Sequence, residues 1–445
     1  MKKYFPFPLQ TVWPTALSAF IFSLLLSGCQ MLQLSDNNES QLVVRTSQTN
    51  TIESHEFPLN PEQNIVGVMA NLYSRENDTL SDIARHFGLG YNDITLANPG
   101  LDPWILSGNQ KVLLPLRFIL PDAAHQGIVL NLANMRLFYY PNSLPGTVIT
   151  YPVGIGRNGW NTPLGRTEIA AKKVNPSWIV PDSIQREHQI LGDPLPKVIQ
   201  AGPENPLGNY AMPLARSGYL IHGTNKPYGI GMQVSHGCVQ MYPEDIEVIF
   251  KKVDVGTPVQ IVHQPYLATW NQDMLYLEAH PLLDHLQNQK KSLQKELRNN
   301  LKKLAAEKQA TVDWEKVERI LQRSDGIPTP ILMNSDDLPE LIANSISVQH
   351  PDYLYGQPIA SELTDHDWAI LAASYPNETD AQKLAAMLNH QGPPIPARMV
   401  ATPGSFQVVA GPFKNKKETT SVAKRIKQNF ELDVKTLKPK ESRKN

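Results

Sequence analysis

Cysteine is almost missing from this chain: two residues in 445. At most one disulfide can form, so a cysteine-stapled scaffold is excluded. No charge sign dominates either. Lys and Arg total 41 against 42 Asp and Glu, for a net charge of −1. That balance gives no global pull toward nucleic acid, and no nucleic-acid partner is expected. The 12 histidines lack Cys/His ligand spacing, so neither a metal site nor a cofactor is expected. Long apolar runs are lacking beyond the N-terminus, where a stretch from roughly Ala16 to Leu26 is too short for a comfortable membrane span.

The scarce cysteines stand in informative places. Cys238 lies in Ser235-His236-Gly237-Cys238-Val239, and His222 lies upstream in Leu220-Ile221-His222-Gly223-Thr224-Asn225. A thiolate is the nucleophilic form of cysteine, and a neighbouring imidazole supplies it at neutral pH. Residues so separated can face each other from adjacent strands. Gly237 suits a tight turn that exposes the sulfur, and backbone N–H groups there suit an oxyanion hole. Taken singly, a cysteine is usually a small buried hydrophobe and a His-Gly pair a turn. The combination is what points to nucleophilic catalysis.

Cys29 closes the other informative stretch. Lys2 and Lys3 precede the apolar run, which ends in Leu26-Ser27-Gly28-Cys29. The pattern reads as a secretory signal. It resembles a bacterial lipobox, which implies lipidation of Cys29, a membrane attachment through the N-terminal lipid, and a periplasm-facing outer-membrane lipoprotein of a diderm bacterium. An ordinary signal peptide containing a cysteine is the alternative. With Cys29 lipidated, Cys238 is the free thiol of the mature chain.

Length suggests about three domains, and a multidomain α+β chain is expected. Residues 1–29 form the signal and 30–64 a polar, flexible tether. Residues 65–120 form a small module. Its Asp78-Thr79-Leu80, Ile83-Ala84, Ala97-Asn98-Pro99 and Val112-Leu113-Leu114-Pro115 resemble the LysM motif, implying a βααβ fold that grips glycan strands. Residues 126–264 read as a mostly antiparallel β catalytic domain, with strands at Ile128–Asn131, Arg136–Tyr140 and Gly256–Val262. Leucines at 282, 283, 286, 293, 297, 301 and 304 recur at helical spacing, so 265–345 reads as a helical extension. Residues 366–440 read as a βαββαβ C-terminal domain. Its strand Phe406–Phe413, ending in Val-Ala-Gly-Pro-Phe, resembles the SPOR domain, which implies binding to peptide-stripped glycan.

The pairing of His222-Gly223-Thr224 with Ser235-His236-Gly237-Cys238-Val239, together with Asn161-Thr162-Pro163-Leu164-Gly165, closely resembles the L,D-transpeptidase catalytic (YkuD) domain. The resemblance implies that Cys238 is the nucleophile and His222 its base, the ring oriented by a carbonyl near Gly223. It implies that His236 and Gly237 shape the oxyanion site, that Ser235 supports the loop, and that Thr224, Asn225 and Gln240 line the substrate site. The implied reaction is acyl transfer from peptidoglycan tetrapeptide stems through a cysteinyl thioester, forming cross-links or attaching a lipoprotein acceptor to the wall. One departure stands out. The family usually has arginine two positions after the cysteine, and this chain has Gln240, whose neutral amide cannot clamp a carboxylate as a guanidinium does. Arg157 and Arg216 are candidates to compensate. A catalytically impaired peptidoglycan-binding scaffold and an L,D-carboxypeptidase are the alternatives.

Overall fold

A computed structural model describes residues 52, 54–60, 63–358 and 361–440. Cys29 and the signal lie outside the described residues. Among the described residues no helix is long and apolar enough to cross a membrane.

The central element is a six-stranded sheet in the order Glu56–Pro58, Thr147–Pro152, Arg136–Tyr140, Gly127–Asn131, Pro258–Val262, Gly165–Glu168. Gly127–Asn131 and Arg136–Tyr140 are buried at every position. Alternation explains how both faces are covered. Ile128, Leu130, Leu137 and Tyr139 point into one core with Ile221, Val239, Ile246 and Ile249. Val129, Phe138 and Tyr140 point into the other, which they share with Leu80, Ile83, Leu114 and Phe118 of the N-terminal module. That module runs strand Ile65–Tyr73, helix Leu80–His86, helix Tyr91–Ala97, strand Lys111–Ile119. Thr79 caps the first helix by accepting from the Asp82 N–H, which removes an otherwise orphaned donor.

Arg136 fastens the two units together. It is 1% exposed. Its guanidinium donates to Gly88 O (3.1 Å) and Asp93 Oδ2 (2.9 Å) and lies 4.0 Å over the Phe118 ring. These partners neutralise and satisfy a charge that would otherwise be costly to bury.

Two expectations need correction. The stretch 30–64 is not a tether to its end: Glu56–Pro58 pairs antiparallel with Thr147–Ile149. Phe57, 5% exposed, anchors it in the shared core. The stretch 265–345 is not a helical extension but a mixed unit. Strands Tyr266–Asn271, Met274–Ala279 and Thr329–Pro330 form a sheet, and helices Lys290–Glu307 and Trp314–Arg323 pack Leu297, Leu301, Val317 and Ile320 against its Leu275 and Leu277. The leucine spacing is helical, but it begins after a hairpin that has its own period of two.

The C-terminal unit runs strand Trp368–Tyr375, helix Glu378–Asn389, strands Ala397–Thr402 and Ser405–Phe413, helix Lys416–Phe430, strand Lys435–Leu437. Its core of Ile370, Ala381, Leu384, Leu388, Val408 and Ile426 draws on no other unit.

Candidate active site

Three ladders in the region 126–264 are parallel among the described residues, and two of them build the site. Leu220–His222 pairs parallel with Val239–Gln240, Ile221 opposite Val239 and His222 opposite Gln240. Ile221 and Val239 are 0% and 1% exposed and enter the core. Side chains alternate along a strand, so His222, Cys238 and Gln240 project from the other face. Thus the register brings imidazole and thiol to one side of the sheet. The second parallel ladder, Gln233–Ser235 against Ile155–Gly156, holds the loop that carries the cysteine.

His222 is buried, and its Nδ1–H donates to Gly223 O at 2.5 Å. A carbonyl only accepts, so the neutral ring leaves Nε2 unprotonated. Gly223 sits close to its neighbours: a Cβ there would lie 3.2 Å from Ile246 Cγ2, which would have to give by a few tenths of an ångström. Ser235 Oγ donates to Cys238 O (2.5 Å) and accepts from the Gly237 N–H (3.1 Å). The Gly237 N–H is therefore engaged inside the loop, and Gly237 contributes shape. Its φ of +102° favours glycine, and a Cβ would meet Tyr219 Cε1 at 2.9 Å. Thr162, given no role of its own within the Asn161–Gly165 motif, locks the same loop. Its hydroxyl donates to Gly237 O (2.9 Å) and accepts from the Gly156 N–H (3.0 Å).

Cys238 is partly exposed, its thiol 3.7 Å from Gly218 O. Loss of solvent pushes the thiol up to about 11, against a smaller lowering by a backbone hydrogen bond at Leu220. Burial likewise pushes His222 down to about 4, although the Gly223 and Leu207 carbonyls favour its charged form. At neutral pH the pair therefore rests as thiol and neutral imidazole. A preformed thiolate was the sequence expectation. These resting forms instead suit a base that takes the proton as attack occurs.

The other expected residues serve varied ends. Thr224 Oγ1 accepts from the Lys226 N–H (2.9 Å) and Asn225 Nδ2 donates to Pro203 O (3.3 Å), so both shape the loop after His222. Gln240 exchanges backbone bonds with Gly154 (2.8 and 2.9 Å). Arg216 is half-buried and donates to Leu164 O (3.2 Å). Arg157 instead reaches the cysteine loop: its Nη2 is 2.9 Å from His236 Nε2, and it pairs with Glu187 of the helix Asp182–Ile190. His236 Nε2 is 2.7 Å from Glu187 Oε2 and its ring meets Trp160 edge-on at 4.9 Å. Nothing local in the sequence announces Glu187, because the contact is wholly tertiary.

A thiol and an imidazole on one sheet face, with a tautomer fixed by a carbonyl, is the constellation of cysteine-nucleophile proteins. Comparison with known proteins narrows the class. Residues 125–261 match the L,D-transpeptidase catalytic domain, 75–115 the LysM domain and 365–432 the SPOR domain. The probable L,D-transpeptidase ErfK/SrfK of Salmonella typhimurium is 36% identical over 287 residues, 62% of this chain and 90% of that protein. The probable L,D-transpeptidase YbiS of Escherichia coli K12 is 44% identical over 203 residues, 45% of this chain, and the chain spans 66% of that relative's length. The solved catalytic domain of an E. faecium L,D-transpeptidase aligns at 23% identity over 32% of this chain and 99% of its own, with a TM-score of 0.25. The chain belongs to the L,D-transpeptidase family.

Proposed function

We propose that the protein is a cysteine-dependent L,D-transpeptidase acting on peptidoglycan tetrapeptide stems. The observation that carries this reading is the parallel register that sets His222 and Cys238 on one face, with His222 Nδ1–H committed to Gly223 O. In this reading Nε2 takes the thiol proton as sulfur attacks the carbonyl between the L-centre and the terminal D-residue. The C–N bond then breaks, the same proton passes to the leaving amine, and D-alanine departs from a thioester on Cys238. An acceptor amine attacks the thioester, loses its proton to His222, and the thiol is regenerated. Cross-linking to a second stem and attachment of a lipoprotein lysine are both served by this chemistry; water as acceptor would make the protein an L,D-carboxypeptidase.

The LysM and SPOR matches support retention on the glycan strands. The lipobox-like Leu26-Ser27-Gly28-Cys29 supports a lipid-anchored protein of the outer membrane that faces the periplasm. Thr224, Asn225 and Gln240 line the substrate site in this reading.

The test is acylation of the full chain, in detergent, by a carbapenem, read by intact mass. The wild type gains one adduct and Cys238→Ala none, and only the wild type releases D-alanine from muropeptides. An unmodified wild type, indistinguishable from Cys238→Ala on muropeptides, would favour the scaffold alternative. The resting charge state is separately testable. Alkylation of Cys238 should keep rising with pH toward about 11, and saturation near neutral pH would reveal a preformed thiolate instead.

A further inference from the structure

One charged cluster at the site has no part in the acyl transfer described above. Arg157 follows the strand Ile155–Gly156, and its N–H donates to Ser235 O at 2.9 Å. Its guanidinium lies beside the cysteine loop, Nη2 2.9 Å from His236 Nε2. Glu187 lays one oxygen on Arg157 and the other on His236 Nε2. The three side chains are 38%, 27% and 26% exposed, so a solute can reach them. Hydrogen bonds from Arg157 and His236 hold the Glu187 carboxyl below its usual range, so it is an anion.

The contacts of His236 Nε2 conflict. Arg157 Nη2 is 2.9 Å away and only donates; Glu187 Oε2 is 2.7 Å away and, ionised, only accepts. One ring nitrogen cannot accept from the first and donate to the second at once. The helix that carries Glu187 is also lightly held. Ile184 is its one buried residue, while Ile190 and Leu191 beyond it are 86% and 70% exposed. It can shift without opening the core.

Resting on the reading of the protein as a transpeptidase of peptide stems, we propose that Arg157, oriented by His236, forms a subsite for a free carboxylate of the donor stem. Glu187 is the internal ligand that fills the subsite until the donor arrives. Arg157 supplies the permanent charge that Gln240 lacks. Once Glu187 is displaced, Arg157 donates both to His236 Nε2 and to the incoming carboxylate, and the conflict at Nε2 disappears. Arg157 is a specificity residue in this scheme, and Glu187 a positioning residue.

The experiment compares two tetrapeptide donors that differ only in one stem carboxylate, free or amidated, using the full chain in detergent and D-alanine release. The wild type should favour the free acid by about ten-fold or more in kcat/KM, the scale of a charge-assisted hydrogen bond. Arg157→Gln should bring that ratio near unity by raising KM for the acid donor alone, and Arg157→Lys should restore part of it. Glu187→Gln should lower KM for the acid donor and leave the amidated donor unaffected. An unchanged ratio in Arg157→Gln overturns the subsite. So does a Glu187→Gln variant that weakens both donors alike, since that marks a merely structural contact. Turnover of both donors without discrimination sinks the subsite alone. No turnover of either, with no adduct on Cys238, sinks the transpeptidase reading with it.

Discussion

The two small modules flanking the catalytic domain are attached by opposite means. The N-terminal module shares its core with the central sheet: Val129, Phe138 and Tyr140 pack with Leu114 and Phe118, and Arg136 crosses the boundary. The C-terminal module keeps its apolar core to itself and meets its neighbours through polar groups and one ring contact, Trp104 edge-on to His390 at 5.5 Å. His390 Nε2 bonds Asp82 (2.9 Å), Lys383 bonds Asp102 (2.7 Å), and Gln428 reaches Asp193 (3.4 Å). Apolar burial makes two units fold as one, whereas a polar contact between finished cores only docks them.

The comparison can be broken most forcefully at Arg136. Arg136→Met strands Asp93 and the Gly88 carbonyl, and should cost about 3 kcal/mol or more. Urea unfolding should show the N-terminal module and catalytic domain still melting together at a lower midpoint. Separate transitions would mean the shared core does not couple them.

Removing the His390 ring tests the docked module. His390→Ala should weaken docking by about 1–2 kcal/mol, read as faster amide exchange in the helix Leu80–His86 with no change in the C-terminal core. The wild-type contact should also depend on pH. Burial opposes charge on His390, but its bonds to Asp82 and Ala386 outweigh that and raise its pKa above 6.5. The contribution is therefore complete below pH 6.5 and lost as pH rises through the raised value. Protection of that helix, taken relative to the intrinsic base-catalysed exchange rate, should fall as pH rises above 6.5 in the wild type and not in His390→Ala.

Lys383→Ala removes an ion pair whose side chains are 40% and 39% exposed. It should cost less than about 1 kcal/mol. The smallest effect should be at the site itself: deletion of residues 361–445 ought to leave the carbapenem adduct on Cys238 unchanged and to lower the unfolding midpoint of the catalytic domain by no more than the lost docking contacts account for. A large fall in that midpoint would show that the polar contacts hold more than they appear able to.

Local signals survived into the structure where local physics decides. Thr79, just before an apolar helix, caps it, and the strands Gly127–Asn131 and Arg136–Tyr140, neighbours in sequence, pair with each other. The hairpin Tyr266–Asn271 with Met274–Ala279 was also readable, in the alternation of Leu275, Leu277 and Ala279, but the leucines that follow drew the helical reading backward. Phe57 was hidden in a polar stretch, because one aromatic ring suffices to pin a strand. At the site, His222 and Cys238 could be picked out as a pair by their flanking motifs. The parallel ladder that places them has no local signature, since its partners are separated by the whole intervening loop. Glu187 was invisible for the same reason, being 49 residues from His236.

That ladder also limits what can happen to the chain's length. Swapping side chains between Ser235 and Gln240 changes the chemistry of the loop. Adding or dropping one residue there would turn the sulfur through half a rotation, toward the packed interior, and bring Val239 out in its place. Composition and hydrophobic volume would hardly change, yet the thiol would lie on the wrong side of the sheet from the ring meant to deprotonate it. Directed libraries at this position should therefore vary residue identity and hold the residue count fixed.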